Sequence, residues 1–307
     1  MTEHMYLKWW GCGAFDILMD DVNIAVDPYL FGDNLKDAEP IYDYIFISHE
    51  HFDHCHPKSL EKLCTGTRFK RLYVCPGCVY PNVPIAENYG HAALERDLPI
   101  TKFVAEDKIS IVYPGVRDDS QTGRSWAGKT GKRDLPGPHT LDLGEIEVEV
   151  MESGENQRAD LTTNGYLVRH KSAGVSVLHI GDLHDPYPEL EQLRGRVDFL
   201  VHMKVGVRTP GDEGLARLRQ FTDLIRPRYF IPIHYRTDRA SDPIPPGNWP
   251  PDVTDVAAFI ESMRGAIGDL TTILPFTAGE KYEVALPEKK VVWKWQWRNT
   301  WTEPTWL

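Results

Sequence analysis

The chain has 307 residues, 41% hydrophobic and 26% charged, which is the make-up of an ordinary globular protein long enough to bury a large core without staples. Its 34 Lys and Arg are outnumbered by 45 Asp and Glu, for a formal charge of −11. Binding to nucleic acid or to anionic membranes relies on clustered cations, so this balance argues against both partners.

The opening reads as three short β-runs, at 5–10, 14–19 and 23–26, separated by Gly or Asp turns. A compact run at 44–48 (YIFIS) ends abruptly in polar residues, a helix is expected over 57–63, a strand over 72–75 and a helix over 85–96. Pattern is lost over 114–138, rich in Gly, Asp, Arg and Pro, which reads as a loop insertion. Strands return at 146–150, 165–168 and 175–180, with a short helix at 187–193 and a strand at 199–205. Leu215, Leu218, Phe221 and Leu224 give the helical spacing of 213–225. A strand at 229–233, a Pro-rich loop at 243–251, a helix over 252–266 and a strand at 282–285 complete the series. The cysteines number five, an odd count in a long chain, so reduced thiols are expected rather than a disulfide framework. With neither a basic-then-apolar leader nor an apolar run of bilayer length, a cytoplasmic location is expected.

Four of these strands end in residues able to hold metal: at His49, near Glu152, at Asp182 and at His234. The segment SHEHFDHCH is the sharpest signal, because His49, His51, Asp53 and His54 fall within six residues directly after a buried strand. Imidazoles and carboxylates so close suit one or two divalent ions, zinc foremost and manganese or iron as alternatives. A His-rich surface turn is the plain alternative, but Asp182 in HIGDLHD and His234 in IPIHYR each follow an apolar β-run and can complete a site.

HxHxDH after a strand, then GD, then a late His after a strand, resembles the metallo-β-lactamase superfamily. WWGCG, DPY, SHEHFDH, GYL, HIGDLH and IPIHY resemble its ascorbate-6-phosphate lactonase-like branch in particular. The resemblance implies an α/β fold, an αββα sandwich of two mixed sheets flanked by helices, over 1–285, with 286–307 as a Trp-rich tail. It implies His49 and His51 at a first metal position, Asp53, His54 and His234 at a second, and Asp182 bridging them. Many members add a His from the strand near 150–156; here that segment is VMESGENQ, leaving Glu152, Glu155 or nothing in its place and one or two ions bound.

A bound cation brings the pKa of water to about 7 and polarises a carbonyl or phosphoryl oxygen, so no Ser or Cys nucleophile is required. Asp53 could orient the nucleophile, and His184 is the acid or base to test, with a solvent-facing turn histidine as the plain reading. Lys204 and Arg208, with His202, could grip an anionic substrate or belong to a solvated loop. His179, inside a strand, reads as a satisfied core or supporting histidine. GRSWAGKT lacks the strand before and helix after it that a phosphate loop needs, and the CxxC of Cys75 and Cys78 lacks a second pair for a zinc ribbon. Trp293, Trp295 and Trp297 alternate with polar residues, expected to put the indoles on one face of a strand. The function expected is a metal-dependent hydrolase of a small anionic lactone or phosphate ester. The alternatives are a phosphodiesterase or nuclease, a mono- or di-iron redox enzyme, and a non-catalytic metal-binding protein. A small-molecule substrate is the expected partner, with no nucleic acid and no membrane; a homo-oligomer stays open.

Overall fold

The computed structural model describes residues 4–19, 21–30, 32–49, 53–75, 78, 100–112, 140–153, 163–203, 212–237, 252–253, 256–286, 288–295 and 301–302. The helix expected at 85–96, the insertion at 114–138, the Pro-rich loop at 243–251, and His51, Glu155, Lys204 and Arg208 lie outside the described residues.

The strands are β1 His4–Gly11, β2 Ala14–Met19, β3 Asn23–Val26, β4 Tyr44–Ile47, β5 Arg71–Val74, β6 Ile109–Ile111, β7 Thr140–Asp142, β8 Ile146–Glu152 and β9 Asn164–His170. They continue as β10 Ser176–His179, β11 Phe199–Met203, β12 Tyr229–Ile233, β13 Arg236–Thr237, β14 Asp252–Val253, β15 Thr272–Ile273, β16 Lys281–Ala285, β17 Lys290–Trp295 and β18 Trp301–Thr302. The α-helices are α1 Gly32–Asp37, α2 Pro57–Leu63, α3 Asp212–Ile225 and α4 Val256–Ile267.

Among the described residues the strands form two mixed sheets, β18-β17-β16-β1-β2-β3-β4-β5-β6 and β15-β12-β11-β10-β9-β8-β7, plus the small β13-β14 pair. In the first sheet β3 to β6 run parallel and the remaining neighbours antiparallel. Period-two alternation divides the side chains. Leu7, Trp9, Phe15, Ile17, Phe46 and Tyr73 face Val148, Tyr166, Val177 and Phe199 of the second sheet in one core, whereas Ile45, Ile47, Leu72 and Val74 turn the other way onto Leu60 and Leu63 of α2. On the second sheet α3 sets Phe221 against His202 of β11, with ring centroids 4.8 Å apart. The result is the expected sandwich, two sheets face to face with helices outside. No helix among the described residues is long and apolar enough to cross a membrane.

Several elements differ from the sequence reading. Residues 252–253 pair with 236–237 as strand, so α4 starts at Val256; a β-branched residue at 253 favours extended backbone once a partner is at hand. The short helix at 188–193 is 3₁₀, and α1 is too short to show periodicity. The strand expected around Trp293 and Trp295 is present as β17, which pairs antiparallel with β16 at the edge of the first sheet.

Cross-sheet polar bonds gather the strand ends. Tyr166 on β9 donates its hydroxyl to the Ile47 carbonyl at 2.7 Å, and the Asn164 N–H donates to the Ser48 carbonyl at 2.7 Å. His179 at the end of β10 bonds the Gly13 carbonyl at 2.8 Å. These contacts fix the mouths of β4, β9 and β10 and the β1–β2 turn against one another.

Candidate metal centre

Three strand ends and one turn carry the donors. His49, Asp53 and His54 follow β4, Asp182 follows β10, and His234 follows β12; all five are buried. His54 Nε2 lies 3.3 Å from His234 Nε2, 3.4 Å from Asp182 Oδ1 and 3.8 Å from Asp53 Oδ2. His234 Nε2 is 3.4 Å from Asp53 Oδ2 and 3.5 Å from Asp182 Oδ2, and His49 Nε2 is 3.9 Å from Asp182 Oδ2. Two overlapping sets of donor atoms, each spanning no more than 4.8 Å, result: His49, His54 and Asp182, and Cys12, Asp53, His54 and His234.

A second ring of residues fixes which nitrogen faces the centre. Asp27, fully buried at the end of β3, accepts from the Ser48 N–H at 2.6 Å, the Ser48 hydroxyl at 2.6 Å and His54 Nδ1–H at 2.8 Å. With its proton committed to Asp27, Ser48 Oγ accepts from His49 Nδ1–H at 2.8 Å. Both imidazoles therefore carry their proton on Nδ1 and present the Nε2 lone pair inward, the arrangement that prepares histidine for a metal. Parallel pairing of Val26 with Phe46 places Asp27 beside Ser48. The left-handed backbone of Asp27 (φ 48°) is one that Asp tolerates.

The β1–β2 turn closes the site from the other side. The Cys12 carbonyl accepts from the His234 N–H and from Trp9 Nε1–H, each at 2.9 Å, and Cys12 Sγ–H donates to Asp53 Oδ2 at 3.4 Å. A Cβ on Gly13 would come within 2.6 Å of His54 Cε1, so glycine alone lets this turn sit on the imidazole.

The electrostatics call for positive charge. Burial works against ionising His54 and His234, yet the surrounding carboxylates, Asp182 first, drive both imidazoles above the ordinary histidine value. Burial likewise disfavours the Asp53 and Asp182 anions, yet the adjacent imidazoles hold both carboxyls below the usual range. Burial and the Asp53 charge push the Cys12 thiol well up. Inward Nε2 lone pairs beside buried carboxylate anions are a donor set that fits a divalent cation.

The other expected residues fare differently. His184 is half-buried in the turn after Asp182. Glu152, half-buried at the end of β8, is in neither donor set among the described residues; the next residue, Ser153, is buried and donates its hydroxyl to the Ile180 carbonyl. His179 is satisfied by Gly13, as expected of a supporting histidine. His202 is fully buried, neither ring nitrogen has a hydrogen-bond partner among the described residues, and burial pushes it down to about 3. A neutral imidazole cannot act as the cationic anion grip considered for it. Cys75 and Cys78 hold their sulfurs 3.6 Å apart as free thiols. Sequence reasoning missed Asp27, Ser48 and Cys12 as parts of the centre; the polar residues capping β-runs in DPY, YIFIS and GCG were the only signals for them.

Residues 6–234 match the β-lactamase superfamily domain. A UPF0173 family protein of Pyrococcus abyssi is 26% identical over 233 residues, 76% of this chain and 84% of that protein. A UPF0173 metal-dependent hydrolase of Thermococcus onnurineus is 23% identical over 287 residues, 91% of this chain and 99% of that protein. Among solved structures, Igni18, a metallo hydrolase from Ignicoccus hospitalis, superposes with a TM-score of 0.56 at 16% identity, covering 91% of this chain and 98% of that one.

Proposed function

Because the chain belongs to the β-lactamase superfamily, we propose that it is a metal-dependent hydrolase whose centre is built from His49, His51, Asp53, His54, Asp182 and His234. The observation that carries this reading is the convergence of His49, Asp53, His54, Asp182 and His234 from three strand ends, with the His49 and His54 tautomers preset through Ser48 and Asp27. A divalent cation, zinc ahead of manganese or iron, supplies when bound a water of lowered pKa and an electrophile for a carbonyl or phosphoryl oxygen.

The protein's own groups do the rest. His49 and His54 offer Nε2 in fixed orientation, so no reorganisation is needed on loading. Asp53, held as an anion between His54 and His234, accepts a hydrogen bond from the attacking water and aims it. His184 passes a proton to the leaving oxygen. Lys204 and Arg208 neutralise the substrate's charge. The substrate is a small anion, a lactone or phosphate ester, in line with the likeness of WWGCG, DPY and HIGDLH to the lactonase-like branch. The net charge of −11 disfavours a nucleic-acid substrate.

The test is to strip the purified protein with a chelator, restore zinc, manganese or iron(II) singly, and assay lactones, phosphate monoesters, phosphodiesters and RNA. Hydrolysis of a lactone or monoester that vanishes on stripping and returns with zinc supports the proposal. Hydrolysis indifferent to chelation, or activity confined to oxygen-dependent turnover with iron, overturns it. Preference for phosphodiesters or RNA keeps the metal chemistry and replaces the substrate class.

A further inference from the structure

We infer that Cys12 is a ligand, as thiolate, of the cation held by Asp53, His54 and His234, which makes this position a sulfur-bearing, zinc-selective site. The inference rests on the metal centre proposed above and deepens it, since it fixes a donor on the β1–β2 turn that the histidine and aspartate motifs do not contain. Cys12 Sγ, one Asp53 oxygen and one ring nitrogen from each of His54 and His234 all lie within 4.8 Å of one another, with all four residues buried.

Independent features aim the thiol there. The Cys12 carbonyl is bonded to the His234 N–H, so sulfur and imidazole are placed by the same backbone contact. The adjoining Gly13 carbonyl is held by His179, and the absence of a Cβ on Gly13 seats the turn on the His54 ring. The strand end at Glu152 and Ser153, which could have supplied a further donor, puts none into either set among the described residues.

Chemistry gives the consequence. On loading, the S–H bond breaks, its proton leaves to solvent, and the sulfur lone pair forms the bond to the cation; nothing is oxidised or reduced. Thiolate favours zinc over manganese, which prefers oxygen donors. The competing reading is that Cys12 stays a neutral thiol whose S–H only steadies Asp53.

Cobalt(II) distinguishes the two without any assay of activity. The full-length protein, stripped and reloaded with cobalt, is measured for bound metal by elemental analysis and for absorbance in the near ultraviolet. The inference expects an intense sulfur-to-cobalt charge-transfer band that is lost in Cys12→Ser while cobalt remains bound and the circular dichroism is unchanged. Bound cobalt without the band overturns the Cys12 assignment and leaves the metal centre standing. A band that survives in Cys12→Ser assigns the sulfur to another cysteine and overturns it as well. A wild-type protein that binds no cobalt or zinc overturns both readings. Should Cys12→Ser fail to fold, X-ray absorption on zinc-loaded protein with Cys55, Cys64, Cys75 and Cys78 replaced by Ser, leaving Cys12 as its one sulfhydryl, decides: a zinc–sulfur shell at about 2.3 Å supports the inference and a shell of nitrogen and oxygen alone overturns it.

Discussion

Replacing Asp27 by Asn tests the centre without touching any residue proposed to meet the metal. The side chain is nearly isosteric, and Asn accepts the left-handed backbone found there (φ 48°). Asp27 receives hydrogen bonds from the Ser48 N–H, the Ser48 hydroxyl and His54 Nδ1–H. An Asn that keeps its oxygen on the Ser48 N–H turns its NH₂ toward Ser48 Oγ and His54 Nδ1, two groups that donate to the carboxylate in the wild type. His54 then relieves the clash of donors by moving its proton to Nε2, 3.3 Å from His234 Nε2, and removes a lone pair from the centre. Ser48, receiving from Asn, sends its own proton to His49 Nδ1 and reverses that ring too. Loss of such supporting partners costs about 10- to 100-fold in metal affinity, about 1.4–2.7 kcal/mol. Zinc competition against a chromophoric chelator reads this directly, with circular dichroism and thermal unfolding of the stripped protein to confirm the fold. Wild-type zinc affinity in a folded Asp27→Asn protein would show that the tautomers are not set by this network.

Two further perturbations probe the surroundings. Gly13→Ala brings a methyl to 2.6 Å from His54 Cε1, and that ring, pinned by Asp27, has little room to yield. Overpacking of about 1–3 kcal/mol is expected, seen as a lower unfolding midpoint together with weaker zinc binding; an unchanged midpoint and affinity contradict the packing geometry. Asp16 is buried on β2 beneath Trp10 and Tyr42, and burial pushes its carboxyl up to about 6, while burial brings Lys8 down to about 8. A carboxyl with a raised folded pKa binds its proton more tightly folded than unfolded. The stability it contributes is therefore full below its ordinary value of 3.8 and lost as pH rises from there to about 6. The loss is about 3 kcal/mol for a shift of about 2 units. Lys8 acts in the opposite sense, recovering stability as pH rises from about 8 to its ordinary 10.5. Urea unfolding of wild type and Asp16→Asn across pH 4 to 7 should show the wild-type decline absent from the variant; parallel profiles dispose of the assignment.

The turn at 49–54 and the strands that lead to it were readable because their information is local. An apolar run at Tyr44–Ile47 followed at once by His49, Asp53 and His54 needs only neighbouring residues to be recognised, and so do the short β-runs of β2, β3 and β12. The ends of β10 and β12 pointed to Asp182 and His234 for the same reason. Where a partner strand rather than local preference set the conformation, as at β13–β14, the boundaries came out differently.

Nothing local says that His54 and His234, 180 residues apart, lie with their Nε2 atoms 3.3 Å from each other. Nor does DPY reveal that parallel pairing of β3 with β4 lays Asp27 beside Ser48 and orients two imidazoles at once. Cys12 looked like one more reduced thiol until the turn after β1 was found bonded through its carbonyl to His234. Residue type and short-range spacing thus specified the donor chemistry. Orientation, tautomer and the extra sulfur emerged from sheet register and cross-sheet hydrogen bonds, which depend on contacts between segments that no short window contains.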